Sequence, residues 1–285
     1  MAKAKKYEKV MRYMFMLCAC ISVLAVALIC IFLFANGVPA IAKIGVFDFL
    51  GGTRWKPANG MYGILPMILG SIYVTAGAVA IGVPVGTLTA IYMARFCPDG
   101  LYRILKPAVD LLAGIPSVVY GFFGLMVIVP AVRGVFGGNG TSMFAASAVL
   151  GIMILPTIIS VGEAAIRAVP ESYYEGSLAL GASHERSVFR TVVPAAKSGI
   201  TSGVILGIGR AVGETMAVIM VAGNQAVLPR GITKGLRTLT ANIVLEMGYA
   251  ADLHREALIA TAAVLFVFIL IINFTFSLLK RSSEL

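Results

Sequence analysis

Six stretches of this sequence are long, apolar and almost free of charge, at roughly 13–35, 62–93, 108–132, 142–166, 198–223 and 256–279. The hydrocarbon core of a bilayer takes roughly 20 apolar residues as helix. A span must also satisfy its own backbone polar groups, which leaves only helices or closed barrels. None of the six alternates with period two, so barrel strands are excluded. The expectation is an all-α integral membrane protein with six transmembrane helices. Composition agrees, with 59% hydrophobic and 13% charged residues and a mean hydropathy of +0.93, where a soluble domain carries roughly a quarter charged residues.

The first run follows a basic segment, MAKAKKYEKVMRY, as a signal peptide would. Its apolar part is longer than a usual signal core and no clear small-residue cleavage site follows, so it reads as a retained helix. Basic residues mark the inner side of a membrane protein. With the N-terminus inside, fourteen lysines and arginines fall on inner pieces and eight on outer ones. Both termini are therefore expected in the cytoplasm, and the net charge of +10 is mostly a record of topology. A nucleic-acid surface would need a basic face interleaved with aromatics on a folded domain, and none is present. Cys18, Cys20 and Cys30 fall in the first span and Cys97 in an inner loop, so neither disulfides nor a metal site is expected. His184 and His254 fall on opposite sides of the membrane by this topology.

The run at 198–223 carries two charges near its middle. GIGRAVGETMAVIMVAG, residues 207–223, holds Arg210 and Glu214. A charge at the centre of a membrane helix costs about 2.5–3.5 kcal/mol on insertion scales. On a continuous helix the two residues lie about 40° apart, with Gly199, Gly203 and Gly207 within roughly 60° of Arg210. Small residues at that spacing permit close helix approach, so the pair is expected to face a helix interface or an internal cavity. Two readings stand. The pair is a salt bridge that fixes packing, or it belongs to a transport pathway. The arginine-first order is the less favourable one for a helical pair, and apolar residues do a purely structural job as well, which favours the pathway. Arginine offers five donors in a fixed fork suited to an oxyanion. Glu214 then either holds the guanidinium or releases it when an anion arrives.

The inner loop VPESYYEGSLALGASHERSVFRTVVPAAKSG, residues 169–199, is not composed like a flexible linker. Pro170 starts a short helix, Gly181 stops it, and a second short basic helix ends at Pro194. Glu175, Gly181 six residues on and Pro194 nineteen residues on resemble the E-A-A…G…L-P loop of ABC importer permeases. The two alanines are here Gly176 and Ser177, and the last pair is Val193-Pro194. GRAVGETMAVIMVAGN (209–224) and LLAGIPSVVYGFFG (111–124) further resemble the phosphate importer's permease subunit of the PstC type.

That resemblance covers the chain from about residue 60 onward. It implies a type I ABC importer (MetI-like) core over 61–285, with a coupling loop at about 167–197. Residues 1–60 supply an inner tail, the first span and an outer loop. It implies a heterodimer with a PstA-type permease, two copies of a PstB-type ATPase beneath, and an extracytoplasmic phosphate-binding protein. Glu171, Glu175, Gly176, Ser177, Gly181 and Pro194 would serve ATPase coupling. Arg210, Glu214, Thr215, Ser117 and Tyr120 would line the path of phosphate through the cytoplasmic (inner) membrane. The sequence has no GxxxxGK[ST] loop, so no ATP hydrolysis and no cofactor are expected of this chain; ATP would be bound by the partners. A permease for sulfate or molybdate is the alternative, with a secondary anion transporter behind it. Trp55 is expected at the outer interface, as a lipid anchor or against the binding protein. Arg230, Lys234 and Arg237 make the last outer loop basic.

Overall fold

The computed structural model describes residues 2–282, so the outermost residues of the expected divisions 1–60 and 61–285 lie outside it. Among the described residues the structure is mostly helical, with one small hairpin and an irregular segment over 222–238. Helix α1 (Ala2–Ile44) leads to the short α2 (Val46–Gly51) and to the hairpin of β1 (Trp55–Lys56) and β2 (Met61–Tyr62). Next come α3 (Leu65–Ile91), a π turn (Tyr92–Phe96), α4 (Asp99–Gly114), α5 (Ser117–Phe123), a second π turn (Gly124–Ile128) and α6 (Val129–Phe136). Helix α7 (Met143–Arg167) precedes α8 (Glu171–Ala179) and α9 (His184–Ser187), and a third π turn (Val188–Val192) leads to α10 (Val193–Ala195). Helices α11 (Lys197–Gly213), α12 (Met216–Val221), α13 (Leu239–Met247) and α14 (Asp252–Ser282) complete the chain.

Among the described residues, five helices are long and apolar enough to cross a membrane, and a sixth span arises from the pair His184–Ala195 and Lys197–Gly213, bent by 68°. The 43-residue α1 is longer than the run at 13–35 and longer than any bilayer core requires. It passes through Pro39 and meets α14 only near its far end, where Gly37 lies against Ala260 and Ala263.

Helix α7 is the post around which α3, α4, α11 and α12 pack. Its apolar window is 61% buried, against 0% for that of α1. Leu150, Met153, Ile154 and Ile158 on α7 share a core with Val74 and Ala78 of α3 and with Ala217, Val218 and Val221 of α12. Small residues set the approach distances. On α3, a Cβ at Gly82 would stand 2.7 Å from Ile154 Cγ1 and 2.9 Å from the Gly151 carbonyl oxygen. The glycine row of α11 faces the same post from another side, with Gly203 against Val161 and Gly207 against Ile158.

Two expected spans are broken. The run at 108–132 is interrupted at Ile115 and Pro116, whose ψ angles of 127° and 143° are extended. The apolar segment that qualifies as a span is Ser117–Phe136, and α4 is a separate amphipathic helix. Proline removes a backbone donor and biases its predecessor away from helix, which accounts for this break. The run at 198–223 is interrupted at Glu214 (ψ 135°) and Thr215 (φ −124°). No proline stands there. Side chains take over the freed backbone groups instead, a substitution tolerated at membrane depth only inside protein or beside a cavity.

Replacing Gly82 with leucine would force α3 away from the α7 backbone. Overpacking of this kind costs about 1–3 kcal/mol. The expected outcome is a lowered melting temperature of the detergent-solubilised protein, measured against Gly134→Leu, where an added Cβ meets nothing within 4 Å.

Candidate functional site

The break after Gly213 defines the site. Arg210 occupies the last turn of α11 and Glu214 lies just beyond the helix. The expected shared helical face therefore does not exist, because the 100° rotation per residue stops before Glu214. Glu214 turns to the next helix, where its Oε1 accepts from the Ala217 N–H at 3.0 Å and so caps α12. Its carbonyl oxygen accepts from the Thr240 hydroxyl at 3.0 Å, and the Thr215 hydroxyl donates to the Gly213 carbonyl at 3.2 Å. These contacts stabilise an interruption that sequence periodicity does not show.

Arg210 is left with little. Its guanidinium donates one long hydrogen bond to Thr157 Oγ1 of α7 at 3.5 Å. Among the described residues it makes no ion pair with Glu214 or with any other carboxylate. It is half-buried, in the last turn of α11 beside the break.

Ser117 and Tyr120 reach the same region from α5. Gly121 lies against Ala217 and Met220, and Gly124 against Val221, so α5 and α12 run side by side in the same direction. Their first turns, at Ser117 and Met216, stand at one level. Tyr120 is buried, and its hydroxyl donates back across the Pro116 break to the Leu112 carbonyl at 2.8 Å. The outward faces of these elements are apolar and open, with Phe122 56% and Leu206 57% exposed. A single chain thus provides one wall only.

The residues expected to serve coupling divide into held and free. Glu171 is gripped by Arg95 of the Tyr92–Phe96 π turn, whose Nη1 reaches Oε2 at 2.9 Å and Oε1 at 3.1 Å. The same guanidinium lies 5.6 Å from the Tyr174 ring centre, and the Tyr174 hydroxyl meets His184 Nδ1 at 2.7 Å. Ser177 Oγ accepts from Thr191 at 3.4 Å. Gly181, at φ +83°, ends α8 in the left-handed conformation open to glycine. Pro194 precedes the bend at Ala196. Glu175 and Gly176 are exposed, as is Leu180 at 90%, so α8 offers them outward.

Two buried carboxylates escape a reading by motif. Glu246 of α13 accepts from Trp55 Nε1 at 2.8 Å, meets His254 Nε2 at 2.9 Å and pairs with Arg237. Trp55 is therefore buried, at 6% exposure, rather than a lipid anchor, and Arg237 is not free to make the outer loop basic. Glu163 of α7 is held by Tyr102, Arg167 and Lys106. A signal for Glu163 was present: it is a glutamate inside an apolar run, four residues before an arginine.

The chain belongs to the family of binding-protein-dependent transport system inner membrane components, whose model matches residues 82–284. A probable ABC transporter permease protein, YqgH of Bacillus subtilis, is 40% identical over 93% of this chain and 86% of its own length. The phosphate transport system permease protein PstC of Mesorhizobium japonicum is 35% identical over 84% of this chain and 79% of its own. In fold the chain is similar to the MetNI methionine ABC transporter in an inward-facing conformation, with a TM-score of 0.64 at 19% identity, covering 81% of this chain and 99% of that one. It is also similar to a bacterial alginate ABC transporter solved with its pentasaccharide-bound periplasmic protein, with a TM-score of 0.62 at 16% identity and coverage of 93% and 94%. The fold is the MetI-like permease core of a type I importer.

Burial alone would raise the Glu246 carboxyl, but hydrogen bonds from Trp55, His254 and Arg237 outweigh it and hold the group below its ordinary value of 4.5. Its contribution to stability is therefore complete above that value and is lost as pH falls through the lower folded-state value. Glu246→Gln should destabilise the solubilised protein by about 3 kcal/mol at neutral pH. The difference from wild type should shrink on acidification, as followed by thermal unfolding at stepped pH.

Proposed function

We propose that this chain is the permease subunit of an ATP-driven importer of inorganic phosphate, forming half of the translocation path. The observation that carries the reading is Arg210, a guanidinium beside a break in a membrane helix with no carboxylate partner among the described residues. An unpaired charge in this setting is costly, and an anion passing the break offsets that cost transiently. The name of the phosphate permease relative supplies the substrate. The α8 end faces the cytoplasm in this reading, which puts both termini there.

The open apolar wall made by α5, α11 and α12 is completed by a second permease of the PstA type. Exposed Glu175, Gly176 and Leu180 on α8 meet one of two PstB-type ATPase subunits, which bind and hydrolyse ATP. An extracytoplasmic phosphate-binding protein delivers substrate at the hairpin end. ATP-driven closure of the ATPase pair moves α8, and the bundle opens toward the loaded binding protein. Phosphate then meets Arg210, with Ser117, Thr215 and Tyr120 lining the way. Glu214 acts through the backbone: by capping α12 it holds the break open beside the arginine. One weak site is what transport requires, since a deep well would trap the ion.

Energised uptake of radiolabelled phosphate tests this in cells lacking the chain and then complemented. Wild type should restore uptake. Arg210→Ala should cut it about thirtyfold at low phosphate, the equivalent of about 2 kcal/mol for a charged hydrogen bond, and Glu175→Lys should abolish coupling without loss of membrane insertion. Uptake that is unchanged by loss of the chain, in cells without another phosphate importer, overturns the assignment and points to sulfate or molybdate.

A further inference from the structure

The Glu163 carboxylate joins α7 to α4, and Arg167 extends the link to the Tyr92–Phe96 π turn. Glu163 is 3% exposed on α7. Its Oε1 accepts from the Tyr102 hydroxyl at 2.6 Å and from Arg167 Nε at 2.8 Å, while Lys106 Nζ stands 3.4 Å from Oε2. Tyr102 and Lys106 both belong to α4. Arg167 then reaches onward, donating from Nη2 to the Met93 carbonyl at 2.8 Å and lying 4.6 Å from the Tyr102 ring centre. Met93 is in the Tyr92–Phe96 π turn, and so is Arg95, which grips Glu171 on α8.

At its other end α4 runs into the Pro116 break, where the Leu112 carbonyl takes the Tyr120 hydroxyl. A continuous set of short contacts therefore links α8 to the wall that carries Ser117 and Tyr120. Val109 of α4 and Ile159 of α7 pack with Met93 beneath it, so the polar ties and the apolar contact agree in direction. A carboxylate so deeply buried is an expensive device for packing alone, because apolar residues of similar volume usually serve as well.

We propose that Glu163 is a positioning residue that locks α4 to the inner end of α7, so that α8, the π turn, that end of α7 and α4 move as one unit and carry ATPase motion to the Pro116 break. The proposal rests on the reading of α8 as the coupling helix. Glu163 touches no substrate. It determines whether displacement at Glu171 arrives at Ser117 and Tyr120 or is lost at a loose joint. Glutamine at this position keeps the volume but leaves Lys106 and Arg167 facing a neutral group.

The test uses the complete complex with its partner permease, ATPase and binding protein, with native cysteines replaced and spin labels at Ala179→Cys at the far end of α8 and Ala113→Cys on α4. In the parent complex the label-to-label distance should be narrow and the same with and without ATP. Glu163→Gln should broaden it, and should cut phosphate moved per ATP hydrolysed several-fold while hydrolysis persists and the KM for phosphate is unchanged. Tyr102→Phe, which removes one hydrogen bond, should act in the same direction more weakly, and it decides the matter if Glu163→Gln fails to insert. A variant that inserts and keeps the narrow distance, or loses hydrolysis and uptake together, overturns the proposal. A parent complex that hydrolyses ATP without moving phosphate overturns the substrate reading instead, and the label distances still decide this one.

Discussion

A charge taken out of water must be matched by partners or by a ligand, and three side chains of this chain meet that rule in different ways. Glu163 and Glu246 are saturated, each by three side chains from at least two elements. They act as rivets, one on the α8 side and one beside the hairpin, where desolvated carboxylates are stabilised by fully directed donors. Arg210 is the exception, with a single long contact to Thr157. Between these two ends Arg210 has, among the described residues, no carboxylate partner.

Helix interruption is what keeps that cation free. On an unbroken helix Arg210 and Glu214 would face each other one turn apart and neutralise each other. The chain instead leaves helical geometry at Glu214, and the glutamate caps Ala217. The second interruption, at Pro116, brings α5 in beside α12 at the same level. Half-helices that meet inside a bundle expose backbone and side-chain donors where a continuous helix would hide them. The close glycine contacts of α3 and α11 with α7 then fix the broken pieces against a rigid post.

Much of this was legible in the sequence. Hydropathy alone locates the apolar runs, because the bilayer permits so few solutions, but it does not show the interruptions in those at 108–132 and 198–223. The spacing of Glu175, Gly181 and Pro194 marks the loop that folds as α8 and its stop. Pro116 announces its own break by local sterics. The break at Glu214 was not legible, since nothing local forbids helix there. It depends on Thr240, distant in sequence, which takes the freed carbonyl. The Glu246 cluster was hidden for the same reason: Trp55, Arg237 and His254 converge on Glu246 only through the tertiary fold. The burial of Trp55 shows the error that follows when a tryptophan near a membrane boundary is read from position alone.

The central claim is that Arg210 is held free for the transported anion. The most direct measurement is a structure of the complete complex, turned over with ATP and phosphate and trapped with substrate inside, with density resolved at Arg210. The account predicts a tetrahedral anion within hydrogen-bond distance of the guanidinium, with Glu214 still capping α12. An Arg210 closed onto Glu214 or onto a carboxylate of the second permease, with phosphate passing elsewhere, would contradict it.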